Sequence, residues 1–272
     1  MTPATADTPL VALAGALGTH ALAGFVVLLL FVLAAVAVIG LSVQQFARRR
    51  VQAPRHPYAT LFLRLLIGFA LIVGAAFAFA AIADEIGPGE TLPQLDQAFS
   101  DAVWAGTPER ARAAFGWVTH LGDPLTLTLL CAAGALALLW RRERLLAFAF
   151  VAALGGNALL NTALKRVFER ARPLRVLEPT PFDGYSFPSG HSSGALVAYG
   201  MLAYVLMRTL PRAWHVPAAM LCAAAAFSVG ASRIFLQAHF VTDVLAGFAS
   251  GSIWLAICVL SVELAQRDRR AA

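Results

Sequence analysis

Charge is what this chain has least of. Of 272 residues only 13% are Asp, Glu, Lys or Arg while 59% are hydrophobic, whereas soluble domains carry about 25% charged residues. With a mean hydropathy of +0.72, the shortage excludes an ordinary water-soluble domain and indicates a multi-pass membrane protein. Cysteine is scarce too. Cys131, Cys222 and Cys258 lie far apart within apolar runs and without metal-ligand spacing, so they read as small buried hydrophobes. Residues 1 to 20 contain no Lys or Arg, so the basic n-region of a secretory signal is missing. Acidic residues number 15 against 21 basic ones, a net charge of +6. That excess does not indicate nucleic acid. The basic residues fall mostly in short loops between apolar runs, where they orient a membrane protein.

Apolar runs of about 20 residues span a bilayer, and on that basis seven spans are expected, at about 21–46, 60–83, 123–140, 145–164, 191–207, 214–231 and 240–263. Arg48 to Arg55, Arg141 to Arg144, Arg208 with Arg212, and Arg267 to Arg270 mark the inner loops, which puts the N-terminus outside. Between the second and third spans, Leu95, Phe99 and Val103 recur at helical spacing beside Trp104. They fit a helix on the outer interface or a connecting helix packed on the bundle. One external loop breaks the charge rule, since 165–175 carries Lys165, Arg166, Arg170, Arg172 and Arg175. Such residues serve an anion rather than topology. A thiol placed at Ser186 would report the side of this loop, against one at Gln52 in the first inner loop.

Three polar clusters sit at the outer ends of adjacent spans: Lys165 with Arg172-Pro173, Pro188-Ser189-Gly190-His191, and Ser232-Arg233 with His239 and Asp243. A phosphoryl group in flight carries negative charge on its non-bridging oxygens, and catalysis consists largely of placing donors and cations against them. Lys165, Arg172 and Arg233 supply cations, the arginines as forks that contact two oxygens. Ser189 and Gly190 precede a helix whose first-turn amides and dipole add anion affinity. His239 and Asp243 are four apart, hence on one face if the last helix has begun there. A carboxylate on one imidazole nitrogen leaves the other free to attack phosphorus, making His239 the candidate nucleophile. His191 is then the general acid for the departing oxygen. His20, His56, His120 and His215 read as loop or interface residues. No metal or other cofactor is called for, because the cations stand in for a metal.

These clusters resemble the three signature motifs of the type 2 phosphatidic acid phosphatase superfamily, over roughly residues 60–265. The resemblance implies an all-α, polytopic membrane helical bundle: a six-helix core in residues 59–272, with residues 1–58 adding one extra N-terminal transmembrane helix and a basic cytoplasmic loop. It implies a phosphohistidine on His239, protonation of the leaving group by His191, and phosphate binding by Lys165, Arg172, Ser189, Gly190 and Arg233. The soluble haloperoxidase branch does not fit a membrane-spanning chain. The expected activity is metal-independent hydrolysis of a lipid phosphate or diphosphate, such as undecaprenyl diphosphate, phosphatidylglycerol phosphate, phosphatidate or lipid A phosphate, at the outer face of the cytoplasmic membrane. The alternatives are a phosphotransferase with the same intermediate and a non-catalytic anion-binding membrane protein.

Overall fold

A computed structural model describes residues 9–49, 57–87, 90–173 and 184–271. Segments with no water to bond must satisfy their own backbone, and a helix does so within one segment. The described residues form ten α-helices: α1 (Pro9–Thr19), α2 (Ala21–Arg49), α3 (Pro57–Asp84), α4 (Leu92–Gly106), α5 (Glu109–Thr119), α6 (Pro124–Trp140), α7 (Arg144–Phe168), α8 (Gly190–Thr209), α9 (His215–Phe235) and α10 (Val241–Ala271). Each of the seven expected spans falls on a helix. By length and apolarity alone, five stretches qualify to cross a membrane, Ala21–Phe46, Leu65–Asp84, Arg144–Phe168, Arg212–Phe235 and Val241–Arg267, and a sixth if Glu109–Gly122 and Pro124–Trp140, bent by 43°, form one span. The expected count of seven therefore rests on α8 and on α6, which alone has 17 residues. The first turns of α8 are polar, Gly190-His191-Ser192-Ser193-Gly194, which lowers its apolarity. Most of the first expected inner loop (50–56) and Arg175 lie outside the described residues.

Two apolar cores hold the bundle. Leu138, Leu146, Phe150, Val197, Met201 and Val262 join α6, α7, α8 and α10. Val103, Phe115, Ala231 and Phe235 join α4, α5 and α9, with Phe25 of α2 packed against them. Phe115 stacks on Phe235 with centroids 4.1 Å apart, and Phe25 meets Phe115 edge-on at 5.2 Å. Such pairs add about 0.5–1.5 kcal/mol each beyond area burial, so α2 is tied to the bundle by one face. Its other side leaves Val27 and Phe31 65% and 69% exposed, as a lipid-facing surface requires.

Helix α4 is the packed connecting helix, not a helix floating on the interface. Its fully buried positions are Asp96, Ser100 and Val103, while Leu95 and Phe99 are only partly covered. The apolar stripe expected at 95, 99 and 103 is thus rotated, and polar residues point inward. On its other side α4 lies against α1, where Gly18 approaches so closely that a Cβ would stand 2.6 Å from the Phe99 carbonyl oxygen.

Small residues also bring the second and third polar clusters together. A Cβ on Gly247 of α10 would lie 2.6 Å from the Ser189 carbonyl oxygen, and one on Gly251 3.1 Å from Ser193 Cα. This four-residue spacing of glycines lets two helices approach at backbone distance. The opposite ends of α6 to α10 carry Arg141 to Arg144, Arg208, Arg212 and Arg267, so the basic inner-loop residues and the polar clusters occupy opposite ends of the bundle.

Candidate active site

Helix α7 ends at Phe168, and Glu169 turns left-handed with φ 46°, its amide capping the Lys165 carbonyl. The chain then leaves the helix axis and brings Arg170 and Arg172 across the ends of α8 and α10. The segment before α8 is pinned by Ser186, whose amide donates to the Arg170 carbonyl at 2.7 Å and whose hydroxyl donates to that of Ala171 at 2.8 Å. Lys165 Nζ donates to the Tyr185 carbonyl at 2.6 Å. Arg172 donates to the carbonyls of Gly184 at 2.9 Å and Ala238 at 3.0 Å. Arg233, in the last turn of α9, is 2% exposed and donates to Thr119 Oγ1 at 2.7 Å. The three expected cations thus converge, with Lys165 within electrostatic reach of Arg172, Arg233 and Asp243.

Ser189 is fully buried and is the N-cap of α8: its Oγ accepts from the Ser192 amide at 3.3 Å, and its own amide donates to the Asp243 carbonyl at 2.9 Å. What this stretch offers an anion is therefore the helix start. The first-turn amides of Gly190 and His191 have no acceptor within the helix. Beneath it, Asn161 and Asn157 on α7 donate to Ser193 Oγ, each at 3.4 Å, and Asn161 reaches the Pro188 carbonyl at the same distance.

His239 lies before α10 rather than on it, so its pairing with Asp243 is not the helical face expected from their spacing. The helix starts at Val241, and Asp243 folds back to cap it, Oδ2 accepting the Phe240 amide at 3.0 Å. The same oxygen stands 3.4 Å from His239 Nδ1. That is longer than an ordinary hydrogen bond. Both side chains are buried. Burial pushes the His239 imidazole down to about 3, with Asp243 pulling upward and the guanidiniums of Arg233 and Arg172 adding to the fall. His239 is therefore a neutral imidazole at pH 7. Nδ1 faces the carboxylate, and Nε2 holds the lone pair available for attack.

Sequence spacing did not reveal what holds Asp243. Arg170 donates to Asp243 Oδ1 at 2.7 Å, to Thr242 Oγ1 at 2.8 Å and to Asp96 Oδ2 of α4 at 2.9 Å, the three acceptors being buried. Asp96 also accepts from the amide and hydroxyl of Thr242. One turn along α4, Ser100 and Gln237 exchange hydrogen bonds of 2.8 and 3.1 Å. His191 is 20% exposed, its Nε2 lying 3.0 Å from Asp123 Oδ1. Asp123 Oδ2 lies 2.7 Å from His120 Nδ1, so His120 is joined to the site and is not the plain loop residue expected.

The PAP2 superfamily model matches residues 145–267, the stretch containing all three polar clusters. Residues 145–267 belong to the PAP2 superfamily. A phosphatidylglycerophosphatase B of Bacillus subtilis is 38% identical over 138 residues, covering 49% of this chain and 66% of that one. An undecaprenyl-diphosphatase of Sulfolobus acidocaldarius is 32% identical over 47% of this chain and 61% of its own length. A lipid A 1-phosphatase of Rhizobium etli is 35% identical over 37% and 43%. This chain thus spans no more than 66% of these relatives. A crystal structure of a transmembrane PAP2-type phosphatidylglycerolphosphate phosphatase from Bacillus subtilis superposes with a TM-score of 0.66 at 29% identity, covering 71% of this chain and 96% of that one. The fold is accordingly an all-α, multi-pass membrane bundle of the PAP2 type. Asp96, Ser100, His120 and Asp123, which complete the site around the PAP2 motifs, lie outside the matched segment.

Proposed function

We propose that this chain is a metal-independent PAP2 phosphatase that hydrolyses a membrane lipid phosphate or diphosphate through a phosphohistidine on His239. The observation that carries this reading is a buried, neutral imidazole facing a carboxylate, with Arg172 and Arg233 within electrostatic reach of it and Lys165 within reach of those arginines. A site built only to bind an anion needs the cations and not the imidazole. His239 Nε2 attacks phosphorus, and the bond to the leaving oxygen breaks as that oxygen takes a proton from His191. Water then gives a proton to His191 and attacks the phosphorus. The P–N bond breaks, and orthophosphate leaves with His239 neutral again. The cations and the α8 amides offset a charge of about −1.5 to −2 on the phosphate. The three relatives act in name on phosphatidylglycerophosphate, undecaprenyl diphosphate and lipid A, the substrate classes to compare first.

The test is phosphate release from those lipids and phosphatidate by purified protein in detergent, without added acceptor and in excess chelator. Full activity is expected, with strong inhibition by orthovanadate. Five-coordinate vanadate on His239 resembles the in-line transition state, and such analogues bind roughly 10² or more times tighter than substrate. Asp243 has both oxygens engaged by Arg170, Phe240 and His239, which leaves it unsuited to hold Mg²⁺. Chelation that abolishes activity restorable by Mg²⁺ would contradict the charge assignment. Turnover only with an added hydroxyl acceptor would make the chain a phosphotransferase.

We place the site on the outer face of the cytoplasmic membrane because the arginines of 141–144, 208 and 212 lie at the opposite bundle end. Ser186 is fully buried, so the loop is probed better at Tyr185, which is 38% exposed. In intact cells Tyr185→Cys should react with an impermeant thiol reagent, while Glu143→Cys should not. The reverse labelling would put the site inside.

A further inference from the structure

Asp123 precedes Pro124 at the start of α6, where aspartate ordinarily turns its carboxylate back to cap the first-turn amides. It makes no such cap: at this N-cap no side-chain bond is formed. Its oxygens instead reach outward, Oδ1 to His191 Nε2 at 3.0 Å and Oδ2 to His120 Nδ1 at 2.7 Å. The turn is built to come this close. A Cβ on Gly122 would lie 3.1 Å from His191 Cδ2 and 2.3 Å from Val229 Cγ1, so any side chain there would force the turn off the imidazole.

We infer that Asp123 is the positioning carboxylate of the general acid, holding His191 in one orientation and favouring its protonated form as Asp243 serves His239. The inference rests on the reading of His191 as acid. An acid must carry its proton when substrate binds. The elements packed against the start of α8 are the 120–122 turn, α6, α7, α9 and α10. Among the described residues, their titratable groups near that end are His120 and Asp123 from the turn, Lys165 from α7, Arg233 from α9, and Asp243, with His239 just before it, from α10; Arg170 and Arg172 lie on the loop between α7 and α8. Cations gathered for a phosphate disfavour a proton on an imidazole beside them, and Asp243 is committed to Arg170 and His239. Asp123 is a carboxylate at hydrogen-bond distance from His191, and an adjacent opposite charge favours the protonated imidazole.

The experiment is the pH profile of kcat/KM for wild type, Asp123→Asn and Asp123→Ser on an alkyl phosphomonoester and on p-nitrophenyl phosphate, with His191→Ala measured beside them. Asn keeps the size of Asp and can still hydrogen-bond His191 and His120 without the charge, so a purely structural Asp123 predicts unchanged kinetics in that variant, and Ser gives a second variant should Asn not fold. Removing the carboxylate lowers the pKa of the acid. The alkaline limb should therefore move about one unit lower, as expected for loss of an adjacent opposite charge. At pH 8 the alkyl substrate should lose roughly tenfold, nitrophenyl phosphate, whose leaving group needs little protonation, far less, and KM should hold. Asp123→Glu should restore the limb. If His191→Ala discriminates between the substrates but both Asp123 variants keep the wild-type limb, the role of Asp123 is overturned. If His191→Ala loses equally on both, the acid assignment itself falls and takes this inference with it.

Discussion

His239→Ala should lose turnover by roughly 10⁴-fold or more, the order seen when a covalent nucleophile is deleted, while the protein folds and still binds phosphate. On the proposed mechanism the imidazole makes the bond, whereas Lys165, Arg172 and Arg233 would hold the anion through side chains that are anchored elsewhere, to Tyr185, Gly184, Ala238 and Thr119. Asp243 also survives the deletion with partners, since Arg170 and the Phe240 amide still bind it. No buried carboxylate is left bare, so the stability cost is confined to the cavity. Lipid phosphate hydrolysis and competitive binding of inorganic phosphate, measured on the same preparation, check both halves. Substantial hydrolysis by the variant would sink the nucleophile assignment.

Arg170→Met is expected to be nearly as damaging, for the opposite reason. Arg170 is 8% exposed and bridges Asp243, fully buried, to Asp96, 4% exposed at its side chain. Removing one partner of a buried ionic network costs roughly 3–5 kcal/mol, because the remaining charges stay desolvated and unpaired. In a domain of this size that corresponds to a drop in melting temperature on the order of 10 °C. Activity should also fall, by roughly 10- to 100-fold, the loss usual when a group that orients a functional ligand is removed. Asp96→Asn should be milder, and the double variant less damaged than the sum of the two, because neutralising Asp96 removes one of the stranded charges. Thermal melts in detergent and kcat for the four proteins measure the coupling. Strict additivity would mean that α4 is not tied electrostatically to the catalytic pair.

The sequence made the all-α membrane bundle plain because long apolar runs leave the backbone no other way to bond. The polar clusters of the candidate site were legible for a related reason: in a chain so poor in charge, Lys165, Arg172, Arg233 and Asp243 at the ends of apolar runs stand out. Lys165 is the only lysine among 21 basic residues. Asp96, Arg170 and Asp123 were not legible, because each has a bland local reading. Asp96 sits beside an apolar stripe, Arg170 among other loop arginines, and Asp123 before a proline at a helix start. Only tertiary packing turns them toward the site. Asn157 and Asn161 did leave a signal, since with Lys165 they recur every fourth residue along one face of α7. The His239–Asp243 spacing pointed to the right partners by the wrong geometry, a helix start that folds back rather than one continuous face.

The most direct test of the covalent account is to trap the intermediate. Purified protein mixed with lipid labelled in its phosphate and quenched in alkali, where phosphohistidine survives, should carry label on one peptide, and mass spectrometry should place phosphate on His239. The His239→Ala protein should carry none. Label on another residue, or wild-type turnover with no label even when quenched within a single turnover, would contradict the phosphohistidine at the centre of this account.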